Sequence, residues 1–202
     1  MFRKIVVAVA LGTSALLLPG QEVSTPEVAP GIHLPERGSY SMLVEKSSKP
    51  SLVVLHGSEL VSNTHAGSNF ARSIVYAGPR RTVEIANLTS EVEVATKSPT
   101  FFARIPDDDP DTFRNRLSLI KLKPGKDTRI CIEFSANVFG GSRKREVQEI
   151  AITKTDMDGG AWVKFTPEQP LEPGEYAVVE LPKDKLLTPT VFYDFGVSNE
   201  AQ

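Results

Sequence analysis

The sequence predicts an all-β protein with a signal peptide followed by one antiparallel β-sandwich domain. Three observations lead to this fold class. The first residues have the composition of a secretory leader. The rest of the chain contains many short runs of β-branched and aromatic residues, several of which alternate apolar and polar positions. Turn residues separate these runs, and segments with a helical pattern are scarce.

The predicted signal peptide covers residues 1–20. Arg3 and Lys4 form a short positive segment, and residues 5–18 carry no charge before a Pro-Gly pair ends the run. A helix that spans a bilayer needs about 20 apolar residues, so this stretch favours a cleaved leader over an uncleaved anchor or a buried core helix. We therefore expect an extracytoplasmic protein, either periplasmic or secreted, that has no membrane contact after signal cleavage.

The composition restricts the partners and the chemistry. The net charge of the chain is −2, and removing Arg3 and Lys4 with the leader makes it −4. Domains that bind duplex nucleic acid usually carry a basic surplus, so we expect no nucleic-acid partner. Cys131 is the single cysteine, which excludes an intramolecular disulfide. Because it lies in a strand-like run, we expect it to be a buried hydrophobe rather than a reactive thiol.

The predicted domain organisation is a polar linker at residues 21–31, a single β-sandwich domain at residues 32–198 and a tail at residues 199–202. A short helix with an acidic start is predicted within residues 107–116, and a weaker helical pattern covers residues 65–76. The candidate strands are residues 40–44, 52–56, 83–88, 91–96, 101–105, 117–122, 128–134, 149–154, 161–165, 176–181 and 191–197.

Two turns and the last strand give more specific expectations. Residues 123–126, with the sequence KPGK, suit a type II turn in which Gly125 has positive φ. Residues 156–160 suit a hairpin loop. In the last strand we expect Phe195 to lie in the core and Asp194 to face solvent. The triplet DFG in that strand lacks the other kinase motifs, so we infer no kinase activity from it.

Two segments of the C-terminal part resemble known proteins. Residues 171–178, LEPGEYAV, resemble the approach to a late strand in immunoglobulin-like and fibronectin-like sandwiches, in which the tyrosine bonds back to the turn. Residues 80–198 resemble a group of uncharacterised exported bacterial β-sandwich proteins that share a PGEY segment and a terminal DFGV strand. The resemblance implies an immunoglobulin-like antiparallel sandwich, and it transfers no activity to any residue here.

The candidate metal ligands are His56, Glu59 and His65, because two imidazoles and a carboxylate can hold zinc or copper. Their spacing matches no established short motif, and solvated loop histidines are the alternative. Carboxylates in residues 107–111 and 156–159 could offer oxygen ligands to calcium. Adjacent Asp side chains diverge, however, so solvated turns explain both segments better.

No catalytic residue and no cofactor is predicted, because G-x-S-x-G is missing from the sequence, Ser48 and Ser51 have no S-x-x-K context, and no family signature surrounds Cys131 and the histidines. The basic loop at residues 143–145 could contact an anion or an acidic partner, with a solvated loop tip as the alternative. We expect a non-enzymatic exported domain with a protein-interaction or envelope structural role and an undetermined oligomeric state. The alternatives are a module that binds a small ligand, metal or carbohydrate, and a hydrolase with an unrecognised site.

Overall fold

The computed structural model describes residues 25–35, 40–46, 49–58, 60–63, 81–135, 144–157 and 159–201. Most regular structure in these residues is strand, which confirms the all-β class. The predicted signal peptide and the weak helical pattern at residues 65–76 lie outside the described residues. Within the described part of the chain, no helix is long and apolar enough to cross a lipid bilayer.

The described strands form three five-stranded sheets and a small hairpin. In spatial order, sheet I contains β14 (Ile152–Asp156), β15 (Trp162–Pro167), β8 (Thr100–Arg104), β3 (Tyr40–Lys46) and β4 (Lys49–Val54). Sheet II contains β13 (Gln148–Ile150), β9 (Leu117–Lys121), β16 (Gly174–Glu180), β17 (Tyr193–Val197) and β7 (Glu93–Val94). Sheet III contains β10 (Lys123–Pro124), β11 (Thr128–Ser135), β6 (Arg81–Ala86) and β5 (Leu60–Asn63), with β12 (Lys144–Glu146) also paired to β11. The hairpin contains β1 (Glu27–Ala29) and β2 (Ile32–His33).

Sheet II lies between the other two sheets, and its strands β9 and β16 are buried on both faces. Val178 of β16 belongs to the same apolar core as Phe101 and Phe165 of sheet I. The next residue of β16, Val179, belongs to a second core with Ile132 of sheet III. Successive side chains of a strand point to opposite faces, so two adjacent valines enter two different cores. A strand buried on both faces is apolar at consecutive positions instead of alternating.

The β1–β2 hairpin covers the outer face of sheet I. Val28 and Leu34 pack there with Phe102 and Trp162. Part of the predicted linker is therefore a packed strand. At the other end of the chain, Ala201 in the predicted tail is buried. Packed residues thus lie beyond both ends of the predicted domain, because apolar side chains on each flank pack against a sheet.

Some segments pass from one sheet to the next, which ties the layers together. Residues 144–156 form β12 in sheet III, β13 in sheet II and β14 in sheet I. Residues 117–124 likewise form β9 in sheet II and β10 in sheet III. Among the described pairs of strands, only β7 and β17 are parallel. The pairing is otherwise antiparallel, as the sequence predicts.

The predicted short helix is present as α1 (Pro110–Arg116). Asp109 caps its N-terminus, with its carboxylate accepting a hydrogen bond from the backbone N–H of Thr112 at 3.2 Å. Proline at the first helical position needs no hydrogen bond for its nitrogen. Phe113 is buried in the core between sheets I and II. One carboxylate of the acidic segment therefore has a structural role as a helix cap.

The two predicted turns differ in outcome. Gly159 and Gly160 have positive φ in the connection between β14 and β15, as a hairpin loop requires. The prediction of a type II turn at residues 123–126 was wrong, because Gly125, which is a described residue, does not have the positive φ that this turn requires. A side chain at Gly125 would place its Cβ 2.6 Å from the Oγ1 of Thr128 and 2.8 Å from its backbone oxygen. Close backbone approach, and not positive φ, explains this glycine.

Cys131 lies at a β-bulge in β11, where the pairing with β6 shifts between Ile130 and Ile132. The extra residue places the neighbours Cys131 and Ile132 in the same core cluster. Burial raises the pKa of the Cys131 thiol to about 12. These observations confirm the prediction of a buried thiol.

We expect Cys131 to react with a disulfide reagent at pH 8 at least about 100-fold more slowly in the native protein than in urea, because little thiolate exists and the sulfur is covered. Absorbance of the released thiol measures both rates. The unfolded chain is the control, since its thiol has an ordinary pKa. Fast stoichiometric labelling of the native protein would contradict the buried position.

Candidate functional site

A buried arginine joins sheets II and III. Arg129 of β11 exposes only 4% of its side chain. Its Nη1 donates to Glu175 of β16 at 2.7 Å and to Asp194 of β17 at 2.5 Å. Its Nε and Nη2 donate to the backbone oxygens of Asn87 and Ala86, both at 3.1 Å. We call Arg129, Glu175 and Asp194 the arginine centre.

The pairing of β16 with β17 places both carboxylates beside Arg129. Glu175 is opposite Gly196, and Asp194 is opposite Ala177. A Cβ atom at Gly196 would lie 2.9 Å from a carboxylate oxygen of Glu175. The absence of a side chain at Gly196 therefore leaves room for Glu175. This is the physical reason for glycine in the DFGV strand.

Each of the two carboxylates accepts one further hydrogen bond. The backbone N–H of Ser90 donates to Glu175 at 2.8 Å, and the hydroxyl of Ser58 donates to Asp194. The Asp194 side chain is only 11% exposed, so the prediction that it faces solvent was wrong. The positive charge of Arg129 compensates the negative charge of Asp194 in this largely buried position. Phe195 is fully buried, as predicted.

A cleft of about 240 Å³ lies beside the arginine centre, and His56, Ser58 and Asp194 line it. A nucleophilic serine needs a general base within hydrogen-bond reach. Ser58 instead donates to a carboxylate whose charge is already paired with Arg129. The hydroxyl therefore serves to bind Asp194, and this geometry does not activate it.

The three predicted metal ligands have different outcomes. His56 is exposed at the cleft, whereas Glu59 and His65 lie outside the described residues. Within the described ranges, no group of three or more His, Cys, Asp or Glu side chains is placed to hold a metal ion. The metal site formed by these three residues stays a prediction.

The predicted acidic and basic loops take part in local contacts. Arg114 pairs with Asp156 at 2.9 Å and with Asp111 at 3.4 Å, which links α1 to β14. Arg145 donates to the backbone oxygens of Leu187 and Pro182 at 3.2 and 3.0 Å. Both acidic segments and the described part of the basic loop thus stabilise neighbouring elements.

The tyrosine of the PGEY segment bonds back to its turn. The hydroxyl of Tyr176 donates to the backbone oxygen of Glu172 at 2.7 Å, which confirms the predicted contact. On the same surface, Lys121 donates to the carboxylate of Glu172 at 2.6 Å. This hydrogen bond raises the pKa of Lys121 and lowers the pKa of Glu172.

A second cleft, of about 250 Å³, was not predicted from the sequence. Arg116 at the end of α1, Glu180 at the end of β16 and the following loop line it. The Nε of Arg116 is buried and has no hydrogen-bond partner among the described residues. Glu180 accepts a hydrogen bond from the hydroxyl of Tyr40 at 2.9 Å. Burial, and then the charge of Glu180, raise the pKa of Tyr40.

The loop at residues 182–191 exposes apolar side chains beside this cleft, and we call it the leucine loop. Leu186 is 60% exposed and Leu187 is 55% exposed. The backbone is nevertheless held, since the N–H of Leu186 donates to the carboxylate of Asp184 at 2.8 Å, and Arg145 binds two of its carbonyls. Adjacent leucines between lysines and turn residues are the sequence signal that could have indicated this loop.

No protein-family model, no curated protein and no solved structure matches this chain. A function can therefore be argued only from the chemistry and geometry of the chain itself. The two clefts differ in this respect. The charges of the arginine centre are satisfied within the protein, whereas the second cleft is lined by residues of a loop that exposes two leucines.

Replacing Arg129 with Met should lower the free energy of unfolding by about 3–5 kcal/mol, because two largely buried carboxylates would lose their cation. Urea unfolding followed by circular dichroism measures the loss. The matched control is Lys121→Met, which removes a cation from an ion pair with the exposed Glu172 and should have a much smaller effect. Equal losses in both variants would contradict a special role for the arginine centre.

Proposed function

We propose that this chain is an exported, non-enzymatic domain with a protein-interaction or envelope structural role. The observation that carries this proposal is the leucine loop. Two adjacent leucines, each more than half exposed, lie on a backbone held by hydrogen bonds. Exposed apolar patches with polar rims are typical of interaction sites. A loop that is already ordered loses little conformational entropy when it binds.

The type of fold and the compartment are part of the same proposal. The stacked antiparallel sheets support a β-sandwich, and the bond from Tyr176 to the turn at Glu172 supports the immunoglobulin-like type. Export is supported by the leader-like composition of residues 1–20. The partner we propose is another protein or a component of the cell envelope.

The state of the polar groups also supports a non-enzymatic role. Catalysis needs polar groups that are free to act on a substrate. In the cleft beside the arginine centre, Asp194 accepts hydrogen bonds from the hydroxyl of Ser58 and from Arg129. This state of the polar groups supports a protein surface, rather than a small substrate, as the partner.

Changing Leu186 and Leu187 together to Ser should abolish partner binding without unfolding the domain. Each buried leucine contributes about 1.5–3 kcal/mol to an interface, whereas surface substitutions usually change stability by less than about 0.5 kcal/mol. A photo-crosslinking amino acid at Lys185 would report the partner in expressing cells. The crosslinked species should disappear in the double variant.

The control is Leu88→Ser, which removes another exposed leucine, on the turn after β6. It should leave the crosslinked species unchanged. A crosslink that survives the double variant would contradict the role of the leucine loop. Turnover of an ester, peptide or glycoside by the purified protein, abolished by one polar substitution, would contradict the non-enzymatic proposal.

A further inference from the structure

Sheet I ends on one side in β14, which pairs only with β15 among the described strands. Directly after β14, the N–H of Met157 donates to the carbonyl of Trp162 at the start of β15. Hydrogen-bonded and non-hydrogen-bonded positions alternate along an antiparallel pair, so the odd-numbered residues of this segment bond to β15. The even-numbered residues direct their backbone N–H and C=O groups away from the sheet, and these residues are Ile152, Lys154 and Asp156.

The two edges of sheet I differ in how they are protected. At the β4 edge, the N–H of Leu55 donates to Tyr40, which places Pro50 at an outward-facing position. Proline has no N–H and is a common device against pairing at a sheet edge. β14 contains no proline, its pairing with β15 runs without a bulge, and four of its five residues are exposed. Of these two edges, β14 is the one that can accept another strand.

The sequence of β14 is complementary to itself in one antiparallel register. In that register the backbone of Lys154 bonds to the backbone of Asp156 in a second copy, and Thr155 lies opposite its own copy on a two-fold axis. Opposite charges and threonine pairs across neighbouring strands are favourable. Asp156 also pairs with Arg114 in its own chain but stays 53% exposed. A register centred on Lys154 would instead place two like charges opposite each other.

We propose that two copies of this chain form a symmetric dimer in which β14 pairs with β14 of the second copy in the register centred on Thr155. Sheet I then continues from one copy to the other, with five strands from each. The same surface serves on both copies, as two-fold symmetry requires. One pair of strands is a small contact, so the dimer is reversible and its fraction rises with concentration. The proposal goes beyond the proposed function, because it concerns a sheet edge and not the leucine loop.

Disulfide crosslinking tests the register. The Cα atoms of a non-hydrogen-bonded antiparallel pair are about 4.5 Å apart, which a disulfide can span. With oxidised glutathione as the oxidant, Thr155→Cys should form a covalent dimer on non-reducing gels. The matched control is Thr153→Cys, whose two thiols would be four residues apart along the strands, about 13 Å, and should crosslink at least about tenfold more slowly. Wild-type protein should give no covalent dimer, because its Cys131 is buried.

Sedimentation velocity measures the dimer without a covalent bond, and the dimer fraction of the wild-type protein should rise with concentration. Thr155→Lys places two positive charges opposite each other on the axis and should weaken the dimer at least about tenfold. Thr153→Lys makes the same change on the same exposed face, but opposite Met157 of the second copy, and should leave the dimer unchanged. Both positions are exposed, so circular dichroism should show the wild-type fold in each variant.

A wild-type protein that stays monomeric at every concentration up to about 1 mM overturns the proposal. A dimer that Thr155→Lys does not weaken also overturns it, because that dimer forms through another surface. Crosslinking of Thr153→Cys at the same rate as Thr155→Cys, or faster, is incompatible with the register centred on Thr155. The proposed function is decided separately by the photo-crosslink at Lys185, so either result can fail without the other.

Discussion

The burial of both faces of sheet II is the constraint on which the rest of the structure depends. Its strands must supply apolar side chains to two cores at once, so Val178 and Val179 are both fully buried although they point in opposite directions. A charged side chain on such a sheet is costly unless it is paired. Glu175 and Asp194 satisfy this condition because Arg129 reaches them from sheet III.

The proposed interaction surface follows from the same layering. The leucine loop leads from β16 to β17, so both of its ends are anchored in the central sheet. Arg145 comes from β12 in sheet III and binds the loop backbone. A loop held from two layers can expose leucines and keep its conformation. These anchors let the leucine loop expose apolar side chains while its backbone keeps its position on the domain.

Arg129 and Arg116 show that the surroundings of an arginine determine which contacts its guanidinium makes. Arg129 has carboxylates and carbonyls around its guanidinium, and its hydrogen bonds hold sheets together. Arg116 lines a cleft, and its Nε is buried without a hydrogen-bond partner among the described residues. The same chemical group therefore has its donors satisfied in one place and one donor without an acceptor in the other. Neither role could be assigned from the residue type.

The sequence by itself determined the all-β class, the short helix, the buried Cys131 and strands at or near the predicted positions, because alternation and turn residues act over a few neighbouring positions. The tertiary structure alone decided the three layers, the partners of Asp194 and the cleft at Arg116. Arg129 is 46 positions from Glu175 and 65 from Asp194. Contacts over such separations depend on strand register and on the stacking of sheets, and no local pattern encodes which sheets stack.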